Sequence, residues 1–401
     1  MMKRIPALLL AVSMLLSLSP ACAEEGSARL FELTEKVGFK SGGCMSFYQL
    51  RDEKYLNAMK QHFNSITMTN EMKAYSLLDH RSSKAAGDGM PRMNYAQADA
   101  MVGWCQANGI AVRGHVLVWD AYMTEWYFHE DFDVKKPVAD QETIKKRTEY
   151  YITEVINHFE TKFPGVVYCW DVVNEAVGDS LTEWLPGDPR HLRTKRSGGD
   201  NLFYKYMGEN YVEEAFLYAR NAVDALGADI KLYYNDYNAY FSDKAAAIKE
   251  MLGSINSFAL DEAGAPRKLA DGVGMQGYIG GYGTQSGCMV ESHLGMIKSA
   301  IQGYAALGLD VQITEMAVRN FDANQVEKHK DFYTRLYKVF RSLYQEGHNP
   351  LSCVAIWGLT DNPSDKPGSY SYAMNGTHSG LFTEKWDEKP VLHSIIDMLA
   401  E

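Results

Sequence analysis

Two glutamates stand where strand-like apolar runs end: Glu175 in YCWDVVNEAVGD (168–179) and Glu315 in ITEM (313–316). A carboxylate at the close of a buried run carries a desolvation cost, so it needs a partner or a reaction to perform. Similar runs end on Asn70 and Lys73 in TNEMK, His115 and Trp119 in RGHVLVW, and Asn174 beside Glu175. Others end on Asn235 and Asp236 in LYYNDYN, Gln276 and Tyr278 in GVGMQGY, and Trp357 and Asp361 in AIWGLTD. Two carboxyls among amides, an amine and tryptophans suit cleavage of a glycosidic bond. One carboxyl protonates the leaving oxygen while the other supports the sugar carbon as positive charge develops. Amides and amines donate to hydroxyls, and indole faces stack on sugar rings.

These residues share a recurring context: a short β-branched or aromatic-rich run, polar residues at its end, then a longer helical period. Eight such runs are present, at 38–45, 63–73, 110–120, 166–176, 229–238, 272–280, 309–317 and 352–361. Helical stretches between them include 142–163, 210–227 and 324–347. Eight alternating units predict an α/β fold, a single (β/α)8 TIM barrel, whose active site lies at the C-terminal ends of the strands. Glu175 then points into the barrel mouth. No Pro/Ser-rich linker divides the chain, so residues 24–401 read as one catalytic domain.

The first residues, MMKRIPALLLAVSMLLSLSPACAEE, combine Lys3 and Arg4, an apolar stretch and a small-residue site at Ala21-Cys22-Ala23. This is the pattern of a signal peptide over 1–23, which predicts export to the periplasm or the medium. The apolar run falls short of the roughly 20 residues a spanning helix needs, so no membrane span is expected. A lipoprotein, with Cys22 lipidated, ranks below this because Ser19 stands where such sites usually carry Leu. Of 40 basic residues two leave with the leader, against 51 acidic ones, giving 38 − 51 = −13 for the mature chain. Nucleic acid is a poor partner for that charge. Cleavage leaves Cys44, Cys105, Cys169, Cys288 and Cys353, an odd set without metal-like spacing, which reads as buried free thiols, with one disulfide pair left open.

Taken in order, TNEMK, RGHVLVW, WDVVNEA, LYYNDYN, GVGMQGY, ITEM, AIWGLTD and the terminal GLFTEKWDEKPVLHSI resemble the signatures of glycoside hydrolase family 10, the secreted endo-β-1,4-xylanases. The resemblance runs from about residue 30 to 400 and is most specific at WDVVNEA followed by LYYNDYN. It implies a retaining double displacement on β-1,4-xylan or xylo-oligosaccharides, with Glu175 as general acid/base and Glu315 as nucleophile. In such enzymes the carboxyls lie about 5–5.5 Å apart, so the ionised nucleophile keeps its neighbour protonated until the sugar esterifies it. The resemblance further implies that Asn174 bonds the sugar 2-hydroxyl. It has Asn70, Lys73 and His115 hold hydroxyls on the non-reducing side, Gln276 stand near the nucleophile, and Trp119 and Trp357 wall the subsite. No metal or organic cofactor is implied. Asp236 has a blander reading, as a residue that caps its strand and orients neighbours.

Several positions depart from the family pattern. Thr69 replaces the Glu before Asn70, Asp120 replaces the His after Trp119, and the Gln and Pro that normally follow are absent from DAYMTEW. Asp365 stands where a second tryptophan is expected, with Tyr370 or Tyr372 as substitutes. The family's sixth-strand His, which bonds the nucleophile and is held by an Asp, is here Tyr278, with Ala317 in place of that Asp. A tyrosine hydroxyl donates to a carboxylate unaided, so Tyr278 is expected to replace the pair. These changes leave open the same mechanism on another β-glycan or on short xylo-oligosaccharides. A non-catalytic carbohydrate-binding barrel would instead lack a carboxyl. Asn375-Gly-Thr377 is a glycosylation sequon only in a host that glycosylates.

Overall fold

The computed structural model describes residues 28–279, 289–347, 350–361 and 378–401. The leader with Cys22, Cys288, Asp365, Tyr370, Tyr372 and the sequon at 375–377 lie outside them.

All eight expected runs form strands: β1 (Lys40–Met45), β2 (Ser65–Met68), β3 (Ala111–Val118), β4 (Val167–Asn174), β5 (Lys231–Asp236), β6 (Gly272–Met275), β7 (Asp310–Val318) and β8 (Leu351–Ile356). Each pairs in parallel with the next, and β8 pairs with both β7 and β1, which closes the (β/α)8 barrel. Strands buried on both faces read as continuous apolar runs, which is why the sequence shows no alternation here. In β3 and β4 all but one residue is buried.

Two strands are shorter than their runs. The second ends at Met68, so TNEMK is a turn that carries Asn70 and Lys73 over the barrel. The sixth breaks at Gln276-Gly277, where Gly277 takes φ 73°, and resumes at Tyr278–Ile279 against Ala317 and Val318. Close strand contact also dictates a glycine: a Cβ on Gly114 would lie 2.3 Å from the ring of Trp170, its partner in register and fully buried.

Helices cover the outside. The longest, Gln141–Lys162, starts with the Asp140 side chain accepting from Thr143 N, and Tyr211–Leu226 stops at Gly227 in the left-handed conformation. Among the described residues, no helix is long and apolar enough to cross a membrane, and no cluster of His, Cys, Asp and Glu could hold a metal. Cys44, Cys105, Cys169 and Cys353 are buried thiols.

Candidate active site

Glu175 is the residue after β4, and it holds φ 55°, a left-handed conformation that a non-glycine residue adopts at a cost. Its own N–H donates to Asn235 O (2.9 Å), and its carbonyl accepts from Arg193 Nε (3.0 Å) and an Arg196 NH2 group (3.1 Å). The side chain is thereby turned into the mouth. Its Oε1 accepts from Gln276 Nε2 (3.0 Å) and its Oε2 from Arg196 (3.1 Å).

Glu315, inside β7, faces the same space. Its Oε2 accepts the Tyr278 hydroxyl, and its Oε1 receives Asn235 Nδ2 at 3.4 Å. The substitution of Tyr278 for the histidine therefore leaves a donor on this carboxylate. Ala317, opposite Tyr278 in register, is small and buried.

Amides join the two carboxyls. Asn174 Oδ1 accepts from both Asn235 Nδ2 (2.9 Å) and Gln276 Nε2 (3.2 Å), so a chain runs from Glu315 through Asn235, Asn174 and Gln276 to Glu175. Gln276, expected near Glu315, makes its carboxylate bond to Glu175. The cause is the break after β6, which turns its amide toward β4. Thr314 fixes Asn235 by donating to its Oδ1 (2.7 Å). Buried polar atoms at this mouth without a protein partner among the described residues include Asn174 Nδ2, Gln276 Oε1 and Trp119 Nε1. Orphaned buried polar atoms are costly, so they suit a ligand rich in hydroxyls.

On the β2–β3 side, Lys73 donates to Asn70 Oδ1 (3.2 Å) and lies 5.0 Å from the Trp119 ring centroid and 4.4 Å from that of Tyr122. His115 sits between Trp119 and Trp357, at centroid distances of 6.0 and 6.4 Å. Its Nδ1 pairs with Asp171 Oδ2 (2.8 Å), and Arg113 binds the same carboxylate at 2.7 Å. Asp236 is fully buried under Tyr234, Val177 N and Lys244, which fits the strand-end reading.

Burial raises the Glu175 carboxyl to about 7, Arg196 pulls it down, and Asp236 and Glu315 push it up. Burial also lowers the Lys73 ammonium, against the pull of Glu315 and Glu175. A carboxylic acid protonated near neutrality, beside a second carboxylate that is oriented by two donors, can act as a general acid.

Arg193 and Arg196 were not foreseen. The available signal was Asp120: an acidic side chain replacing a neutral one at a strand end requires a cation, and KRSGGD (195–200) supplies it. A cleft of about 760 Å³ lined by Lys231, Asp271 and Asp310 opens at the opposite, N-terminal face, away from these residues.

The sequence matches the family described as "Glycosyl hydrolase family 10" over residues 30–398. It is 36% identical over 300 residues, 73% of this chain and 87% of the other, to a Caldicellulosiruptor saccharolyticus protein provisionally named endo-1,4-beta-xylanase. Endo-1,4-beta-xylanase A of Butyrivibrio fibrisolvens is 29% identical over 390 residues, 90% of this chain and 84% of that one. Among solved structures, a Clostridium thermocellum endo-1,4-beta-D-xylanase complexed with xylohexaose superposes with a TM-score of 0.76 at 25% identity, covering 92% of this chain and 67% of its own. An intracellular xylanase of Thermoanaerobacterium saccharolyticum gives 0.72 at 25% identity, covering 93% and 99%.

Proposed function

We propose that this chain, which belongs to glycosyl hydrolase family 10, is an exported endo-1,4-β-xylanase that cleaves internal bonds of xylan with retention. Glu315 is the nucleophile and Glu175 the acid/base. The observation that carries this reading is the amide chain joining the two carboxyls, with the open Asn174 Nδ2 at its centre. Glu315 attacks the anomeric carbon as Glu175 gives its proton to the leaving oxygen. Asn174 Nδ2 donates to the 2-hydroxyl of the sugar at the cleavage point. Asn70, Lys73 and His115 bind hydroxyls beyond it, between Trp119 and Trp357. Water then attacks the glycosyl ester, and Glu175 takes the proton it releases.

Residues 1–23 serve as the leader, and 24–401 form the catalytic unit. Peptide mass mapping of protein recovered outside the cytoplasm tests this, with Glu24 expected as the first residue.

For the reaction, wild type should release the β-anomer of xylo-oligosaccharides first, read by NMR, and reducing ends should rise on xylan more than on cellulose, mixed-linkage glucan or mannan. Glu315→Gln should abolish turnover. Glu175→Ala should cripple xylan but spare the first step on activated aryl xylosides, which need little proton assistance. An α-anomer first, or equal loss on both substrates, overturns the roles.

A second reading, that short xylo-oligosaccharides are preferred, is favoured by Tyr122 of DAYMTEW, whose ring lies 4.5 Å from Trp119 and under Lys73. That packing sets an aromatic pair beside Lys73 on the β2–β3 side. The chain length of products from xylohexaose separates the two readings.

A further inference from the structure

The Asp120 carboxylate and Arg196 form a two-pronged ion pair, 2.6 Å from Nε and 2.8 Å from one NH2 group. The same guanidinium reaches Glu175 Oε2 (3.1 Å) and its carbonyl (3.1 Å). Arg196 rides on a small hairpin, Lys195–Arg196 against Gly199–Asp200. That hairpin is pinned at its base: Asn201 Nδ2 donates to Arg193 O (2.9 Å) and the Tyr211 hydroxyl (3.0 Å), while its Oδ1 accepts from Phe203 N and Tyr204 N. Arg193 in turn grips the carbonyls of Glu175 and Val177 at 3.0 and 2.8 Å. The guanidinium is therefore held against the carboxyl by fixed structure on both sides.

We propose that Arg196, anchored by Asp120, is a positioning residue that divides the work of Glu175 between its two steps, favouring the ionised form needed in the second. The inference rests on Glu175 as acid/base and Glu315 as nucleophile. In the first step Glu175 must hold a proton. In the second, water adds to the anomeric carbon, the bond from that carbon to Glu315 breaks, and the proton of the water passes to Glu175, which must arrive ionised.

Charged groups face Glu175 from several elements. Glu315 comes from β7, and Asp236 from β5 with Lys244 bound to it. Lys73 comes from the turn after β2, Arg193 and Arg196 with Asp120 are the others among the described residues, and Gln276 adds a neutral donor. Once the sugar esterifies Glu315 its charge is gone, but burial and Asp236 still oppose ionisation. Among the described residues Arg196 is the cation in contact with the carboxyl, so it offsets them together with the neutral Gln276 donor. Asp120 moderates that charge, so that the acid is not ionised too early.

The two partners thus predict shifts of opposite sign. Arg196→Met should move the basic limb of kcat/KM upward by about one pH unit. It should also slow the second step roughly tenfold below that limb, so that an aryl xylobioside gives a burst of phenol and glycosyl-enzyme accumulates, visible by mass spectrometry. Arg196→Lys should restore most of the second-step rate. Asp120→Asn should move the basic limb downward and slow xylan more than the aryl substrate. Each variant is taken as the full chain, with circular dichroism melts alongside, and Arg196→Lys keeps a cation on the hairpin if Arg196→Met does not fold. Limbs that stay within about 0.2 pH of wild type in folded variants, or that move the same way in both, overturn the inference. A wild type that fails to cleave xylan, or that inverts, overturns the carboxyl assignment beneath it instead.

Discussion

The Tyr278 hydroxyl orients Glu315 together with the more distant Asn235 amide, and the residue opposite Tyr278 in register is the small Ala317. The proposal that it replaces a histidine held by an aspartate makes a specific demand. Tyr278→Phe should lower kcat roughly tenfold or more, the scale of one charge-assisted hydrogen bond, and Tyr278→His should recover more activity with Ala317→Asp than without it. Steady-state kinetics on xylan reads both, and near-wild-type turnover in Tyr278→Phe would reduce the two changes to drift. Glu175 makes a separate demand on stability. Its folded value of about 7 lies above the ordinary 4.5, so between those limits the folded chain keeps a proton that the unfolded chain has released. Stability then falls as pH rises through that window and levels off above it. Glu175→Gln should therefore gain nothing near about pH 4 and at most about 3 kcal/mol near about pH 8, as measured by denaturant melts. A gain independent of pH would mean that the carboxyl is not the source.

At the scale of elements, the site depends on strands packed too closely for side chains between them. β6 passes β5 at Gly274, where a Cβ would lie 2.2 Å from Asn235 Oδ1 and 2.8 Å from Thr314 Cγ2. Asn235 is the amide that reaches both Asn174 and Glu315. Gly274→Ala should thus cost about 1–3 kcal/mol through overpacking, and should also cost activity well beyond its loss of folded protein, because Asn235 must turn away. Comparing specific activity per folded molecule with the melting temperature separates the two effects. The break after β6 belongs to the same scale: it puts Gln276 on Glu175 and Tyr278 on Glu315, two neighbours on the chain serving opposite carboxyls.

For the molecule as a whole, closure of the barrel buries the sulfur chemistry. Cys44, Cys105 and Cys169 are held as thiols with burial raising each to about 12, and Cys353 is raised in the same way. Thiols that resist ionisation are poor nucleophiles. Reductant should accordingly leave the melting temperature unchanged, and a thiol-specific reagent should label none of these four before unfolding. A drop of several degrees on reduction would reveal a disulfide.

Reading the chain alone recovered the eight strands, because parallel barrel strands are buried on both faces and so leave uninterrupted apolar runs that end in polar residues. It likewise located Glu175 and the amides, which stand at or just past strand ends, and it picked out Glu315 as well, although that residue lies inside β7, which runs on to Val318. Pairings between loops were a different matter. Asp120 and Arg196 are 76 residues apart, and Arg196 follows Glu175 by 21, so no local period links them. Gln276 was recognised, yet its partner depended on a backbone turn of two residues. Burial against solvent leaves a periodic trace along a sequence, whereas the pairing of charges and amides across a barrel mouth is decided only when distant loops converge on one low-dielectric space.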